Sequence, residues 1–246
     1  MISEDKELKS YSDELRKLID CSLLRNDVTL KEREEFVGVL KKERFICAFV
    51  MPSDVAWLAE EMKDYNDVNI GCAVGFPTGA EPTQIKVAQT RYYHTINGDE
   101  VDLVLNIGWL KSGMEREVLD DVKAVVDASE GKPVKVILEV TRLNESEIRK
   151  GCELVVQAGA DYVKTGTGFM REPTTVEHIR IMKDTVGDDI KIKAAGGIRD
   201  LDTMVSMINA GATRFGISWQ SAVQIVNDAA QKYPEGIQMD CATFEI

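Results

Sequence analysis

Apolar side chains recur along this chain in two alternating periods. Residues 45–51 (FICAFVM), 68–76 (VNIGCAVGF), 101–107 (VDLVLNI), 134–140 (VKVILEV), 161–165 (DYVKT), 190–195 (IKIKAA) and 213–217 (TRFGI) form short runs rich in β-branched or aromatic residues. Each is followed by Gly, Pro or polar residues, a pattern that predicts strands. Between them, residues 53–65, 83–96, 114–129, 145–158, 174–186 and 201–210 carry apolar side chains at helical spacing, which predicts helices. Residues 4–18 add an amphipathic helix at the start, and residues 20–24 supply one more short strand. Gly98, Gly159 and Gly211 each sit between a predicted helix and the following strand. Glycine there ends the helix by tolerating a positive φ.

Strictly alternating strands and helices argue for a parallel sheet. The length of 246 residues is close to the roughly 250 typical of an eight-stranded α/β barrel. The expected fold is therefore a (β/α)8 TIM barrel with an extra N-terminal helix. No low-complexity linker divides the chain, so residues 1–246 are read as a single domain. An open doubly wound sheet is the competing architecture, and it is disfavoured because no GxGxxG follows an early strand.

Charge and composition narrow the function. The formal net charge is −12, and the longest basic cluster, Lys41-Lys42-Glu43-Arg44, reads as a solvated helix end. A nucleic-acid partner is thus not expected, although helix N-termini still accommodate an anionic small molecule. No apolar run approaches the roughly 18 residues of a membrane span, so no membrane partner is expected. The opening residues are charged throughout, unlike a signal peptide. The 5 cysteines are scattered without a CxxC, as in a reduced, cytoplasmic protein. His94 and His178 fall on predicted helices and give no metal-ligand spacing with the cysteines. The residues give no metal site to expect.

In barrels of this kind the reacting groups sit at the C-terminal ends of strands. That rule selects Asp20, Asp102, Asn106, Glu139, Lys164 and Lys193. Lys164 and Lys193 lie on consecutive predicted strands, and neighbouring strands are about 4.8 Å apart. Two ammoniums at matching heights repel, which favours the neutral form of one. A neutral amine is the nucleophile that attacks a carbonyl to form an imine. Asp102 or Asp20 then provides a carboxylate for a proton relay. Taken singly, each residue has a plainer reading: a rim lysine, a buried ion-pair partner for Asp102, and for Glu139 an ion pair with Lys193 or Arg142. The glycines of Gly166-Thr167-Gly168, Gly196-Gly197 and Gly216-Ile217-Ser218 end three consecutive strands, where backbone N–H groups approach an anion closely. Arg199 and Ser218 are candidates to assist them; the plainer reading is that the glycines only make tight turns.

At these residues the chain resembles the deoxyribose-phosphate aldolase family. The matching stretches are IDCSLL from Ile19, VGFPTGA from Val74, EVDLVLNIG from Glu100, VKVILE from Val134, AGADYVKTGTGF from Ala158, KAAGGIR from Lys193 and AGATRFGIS from Ala210. The resemblance implies reversible cleavage of 2-deoxy-D-ribose 5-phosphate to acetaldehyde and D-glyceraldehyde 3-phosphate. It implies Lys164 as the Schiff-base lysine, Lys193 as the lysine that tunes it, and Asp102 as the relay carboxylate. Asp20 and Ser22 match positions lining the same pocket. The loops at Thr167, Gly168, Gly196, Gly197, Gly216 and Ser218 match the phosphate site. A homodimer is also implied, and neither a metal nor an organic cofactor is. Gly166 stands where the family usually has Ser, and Phe49 lies where it usually has Cys. Ile217-Ser218-Trp219-Gln220 replaces a stretch of small residues, so a bulky indole is expected near the phosphate loops. Another aldose as substrate, or a sugar-phosphate-binding protein without turnover, are the alternative readings.

Overall fold

The computed structural model describes residues 11–234. Residues 4–10 of the first predicted helix, the tail 240–246 and Cys241 lie outside the described residues. Eight parallel strands close into a barrel in sequence order. They are β1 (Ile19–Leu23), β2 (Cys47–Val50), β3 (Asn69–Val74), β4 (Glu100–Val104), β5 (Val134–Ile137), β6 (Tyr162–Lys164), β7 (Lys191–Ala195) and β8 (Arg214–Ser218). The helices are α1 (Tyr11–Arg16), α2 (Leu30–Glu43), α3 (Val55–Met62), α4 (Thr83–Thr95), α5 (Ile107–Lys111), α6 (Glu115–Ala128), α7 (Glu145–Gln157), α8 (Val176–Val186), α9 (Leu201–Asn209) and α10 (Trp219–Lys232). The expected barrel and its N-terminal helix are both present.

Local sequence explains where several helices begin. Thr29 and Asn144 each accept from the backbone N–H three residues on, and Glu32 and Glu147 reach back to complete a capping box. His178 plays the reciprocal role for Thr175 at the start of α8. His94 on α4 bonds the Ala128 carbonyl at 3.0 Å. Both histidines are therefore held in structural hydrogen bonds.

The main core lies between the barrel wall and the helices, where Leu40, Leu58, Val122, Val155, Ile179 and Ile225 are fully buried or nearly so. These residues meet the outward side of the strands, for example Leu103, Val136 and Val163. One charged pair is embedded in this layer. Lys86 of α4 donates to Asp121 of α6 at 2.7 Å and to the Val104 carbonyl at 3.1 Å, tying both helices to the end of β4.

Three differences from the sequence reading matter for the site. The apolar run 101–107 ends as strand at Val104; Asn106 caps α5 by accepting from the Trp109 N–H at 3.1 Å. The run 134–140 ends as strand at Ile137, and Glu139 adopts a left-handed backbone (φ 57). The residues after Ser218 form a helix of 14 residues, α10, where no helix is expected from periodicity. The sequence reading also recognises only the basic end of α2. Its mean polarity is high, which weakens the apolar signal.

Candidate active site

Strand alternation decides which side chains enter the barrel. On β4 the inward positions include Glu100 and Asp102, on β5 Lys135, on β6 Lys164, on β7 Lys193, on β8 Arg214 and on β1 Asp20. Lys164 and Lys193 are direct register partners across β6 and β7. Asp102 pairs with Lys135 across β4 and β5, and Lys193 with Arg214 across β7 and β8. Barrel interiors are commonly filled by layers of branched aliphatic residues. Here the middle is ionic, and all seven charged groups are buried.

The groups form one network. Oδ2 of Asp102 accepts from Nζ of Lys164 and from Nζ of Lys193, each at 2.6 Å. Lys193 also contacts Asp20. Arg214 spans Asp20 and Glu100, reaching both Glu100 oxygens at 2.9 Å. Lys135 is paired with Glu100 and lies 3.4 Å from Asp102. Asn69 donates to Glu100 at 2.7 Å. The ring of Phe49 lies against three of the ammoniums.

Three carboxylates (Asp20, Glu100, Asp102) thus face four cations (Lys135, Lys164, Lys193, Arg214). One positive charge is in surplus where desolvation is costly. Burial alone would raise the carboxyl pKa values, but the adjacent cations outweigh it. Asp20, beside Arg214, Lys193 and Lys135, is lowered to about 2. Asp102, beside Lys164, Lys193 and Lys135, lies well below the usual carboxylate range. Lys135 and Arg214 are pushed up by these carboxylates despite burial. Lys164 moves the other way. Burial, reinforced by Lys193, overcomes the attraction of Asp102 and lowers Lys164 to about 8. A proton on Lys164 is therefore held more weakly than on a free lysine.

Lys164 also faces open space. A cleft of about 370 Å³ opens at the C-terminal ends of β6, β7, β8 and β1. Lys164, Thr167 and Gly168 line it from β6 and its loop, Gly196, Gly197 and Arg199 from β7, Gly216 and Ser218 from β8, and Ser22 from β1. Every substrate-contact residue expected from sequence reaches this cleft. Gly216 lacks the Cβ that would lie 3.5 Å from Cε of Lys193 and 3.9 Å from Cε of Lys164. Its absence leaves room above the two lysine chains, on the side where Lys164 meets the cleft. The first turn of α10 also borders the cleft, and its backbone N–H groups have no partners within the helix. Arg199 adds positive charge at the rim, where Arg25 is already paired with Asp27 and Glu32, so the mouth suits an anion.

Lys193, Asp102 and Asp20 do not line the cleft; they lie beneath Lys164 and act on it through the network. Glu139 forms no ion pair with Lys193 or Arg142 among the described residues. Its carboxylate accepts from the backbone N–H of Thr167 at 3.2 Å and from the Thr167 hydroxyl. Oγ1 of Thr167 in turn accepts from the Phe169 N–H at 3.1 Å. The Thr167 proton is therefore committed away from the cleft. Ser22 likewise donates to the Ile217 carbonyl at 2.9 Å. Trp219 starts α10 and packs against the main core as well as bordering the cleft.

The sequence reading missed Glu100, Lys135, Arg214 and Phe49. A usable signal exists for the first three: each is charged and shares strand parity with a recognised inward residue. Asp20, Cys47 and Glu100 are also close enough together to hold a metal ion. Arg214 and Lys135 already neutralise the two carboxylates, and burial, with Glu100 adding to it, raises the Cys47 thiol well above its usual range. That donor set does not fit a cation. No helix of the described residues is long and apolar enough to cross a membrane.

Comparison with known proteins follows the same lines. Residues 20–221 match the family described as DeoC/LacD family aldolase. A deoxyribose-phosphate aldolase from Staphylococcus epidermidis is 43% identical over 210 residues, covering 85% of this chain and 94% of the relative. Among solved structures, one described as QR15, an aldolase, superposes with a TM-score of 0.81 at 36% identity, covering 88% of this chain and 96% of that one. The deoxyribose phosphate aldolase from Aeropyrum pernix, described as having a unique tetrameric structure, gives a TM-score of 0.81 at 25% identity over 90% and 92% of the two chains.

Proposed function

The chain belongs to the DeoC/LacD aldolase family, and on that premise we propose that it is a class I aldolase that reversibly cleaves 2-deoxy-D-ribose 5-phosphate through an imine on Lys164. The observation that carries this reading is the surplus cation: burial lowers Lys164 to about 8, and Lys164 faces the cleft. A neutral amine at that place is what carbonyl attack requires.

The chemistry follows from the positions. The Lys164 amine adds to the C1 aldehyde of the open-chain sugar. Loss of water, aided by proton transfer from the Asp102–Lys193 pair, gives an iminium. The same pair, through water, takes the proton of the C3 hydroxyl. The electron pair of the C2–C3 bond then moves into the iminium, releasing glyceraldehyde 3-phosphate and leaving an enamine. Protonation at C2 and hydrolysis free acetaldehyde and regenerate the amine. Asp20 serves by holding Lys193. The phosphate is assigned to the rim of Gly196, Gly197, Ser218 and Arg199, where backbone N–H groups and positive charge converge.

The test is borohydride trapping with deoxyribose 5-phosphate, read by mass spectrometry of the digested protein. A reduced adduct on Lys164 is expected. Labelling of Lys164 by another aldose but not by this one would keep the imine and discard the substrate. No adduct with any carbonyl compound would favour a binding protein without turnover. We also assign a homodimer, consistent with the exposed Ile85 and Tyr92 on α4. Light scattering distinguishes it from the tetramer described for one relative.

A further inference from the structure

Lys164 and Lys193 compete for the same oxygen of Asp102 at the same distance, 2.6 Å. Asp102 therefore does not decide which of them loses a proton. Two asymmetries remain. Asp20 contacts Lys193 and forms no ion pair with Lys164 among the described residues. The other asymmetry is aromatic. The ring of Phe49 on β2 is 2% exposed and lies 4.3 Å from Nζ of Lys193, against 5.6 Å for Lys135 and 5.9 Å for Lys164. The attraction between a cation and an aromatic face falls with distance and grows when water is excluded.

The ring occupies this place because its register partner on β3 is Gly71. A Cβ there would lie 2.2 Å from the ring carbons, so any larger residue at 71 would force the ring from this place. The paired choice of Phe49 and Gly71 is specific to the space above the lysines.

We propose that Phe49 is a positioning residue whose ring holds the ammonium on Lys193, so that Lys164 becomes the free amine. The inference deepens the imine reading and rests on it. The charged groups around Lys193 are Asp20 from β1, Asp102 from β4, Lys164 from β6 and Arg214 from β8, with Lys135 from β5 on the far side of Asp102. The two carboxylates attract the Lys193 ammonium, and the neighbouring cations repel it. The ring adds attraction without a further negative charge, which in this network would also raise the affinity of Lys164 for its proton.

The experiment keeps the shape and changes the electronics. Phe49 in the full chain is replaced by phenylalanines carrying one, two or three ring fluorines, which weaken the negative face of the ring stepwise. Each protein is treated with acetaldehyde and cyanoborohydride over a range of pH, and the pH of half-maximal ethylation of Lys164, the amine that faces the cleft, is read by mass spectrometry. That midpoint is expected to rise with each fluorine, by about one pH unit across the series. Phe49→Leu is expected to move it the same way. A purely structural ring would give no trend in the fluorinated series. A midpoint that stays fixed across the series overturns the proposal alone. Failure to label Lys164 in the unmodified protein overturns the imine reading together with it.

Discussion

Lys164 and Lys193 face each other across paired strands, and both ammoniums reach one carboxylate oxygen, Oδ2 of Asp102, at 2.6 Å. Two cations sharing one anion is an unstable arrangement in a dry barrel. It relaxes when one of them gives up its proton. The cleft lies beside Lys164 rather than Lys193, so the amine that is released is also the one a substrate meets.

The pH dependence follows directly. With Lys164 at about 8, most of it is protonated at neutral pH. kcat/KM is expected to rise about tenfold per pH unit below 8 and to level off above it. A profile flat from pH 6 to 9 would contradict a titrating Lys164.

Lys164→Met removes the nucleophile and is expected to abolish turnover and borohydride trapping. It is also expected to raise stability. Burial depresses the Lys164 pKa below its unfolded value, so the protonated form costs free energy below about pH 8. That cost fades as pH rises from about 8 towards the unfolded pKa, because the unfolded chain then binds more protons. Removing the charge should stabilise the fold by about 1–3 kcal/mol at pH 7, seen as a higher Tm. A lower Tm would show that Asp102 depends on Lys164 more than on Lys193 and Lys135.

Lys193→Met takes away the like charge that helps to lower Lys164. The acid limb of the rate profile should then move above pH 8. The plateau should fall by roughly a hundredfold, because Lys193 also takes part in the relay. A reduced plateau with an unmoved limb would separate the two roles.

Gly166→Ser restores the family's usual residue and tests the β6 loop. A Cβ at 166 would lie 2.7 Å from Oε1 of Glu139, so the carboxylate must shift and its hold on Thr167 must loosen. Because Thr167 and Gly168 line the cleft, KM for the phosphorylated sugar should rise about threefold or more with kcat little changed. Steady-state kinetics reads this directly.

Arg214→Met leaves Asp20 and Glu100 without their shared guanidinium. Breaking a buried ion network from one side typically costs about 3–5 kcal/mol. Urea unfolding should show a loss of that size, and activity should fall through the loosened Asp20–Lys193 contact. An effect below about 1 kcal/mol would mean that Lys135 and Lys193 compensate.

Much of this was legible in the residues. Two hydrophobic periods in strict alternation leave few folds open, because each strand must bury both faces and each helix one stripe. Charged residues inside such strands are informative because burial penalises them, and that singled out Asp102, Lys164 and Lys193. Strand ends were less legible. Asn106 and Glu139 sit in apolar runs whose hydrophobicity continues past the last ladder hydrogen bond, so pattern alone placed them on strands. α10 was hidden because its first residues read as loop chemistry.

The sequence by itself determined the strand–helix alternation, the parity that puts lysines inside the barrel, and the glycine loops at the strand ends. Tertiary structure decided the rest. Only closure of the barrel sets β1 beside β8 and brings β4 across the interior to β7 and β8, so only there do Asp20, Glu100, Lys135 and Arg214 become one network with the two lysines. The net charge of that network, and hence the identity of the weakly held proton, depends on distances between strands far apart in the chain. The stacking of Phe49 on Lys193 depends on the absence of a side chain at Gly71, a relation between neighbouring strands that no local pattern encodes.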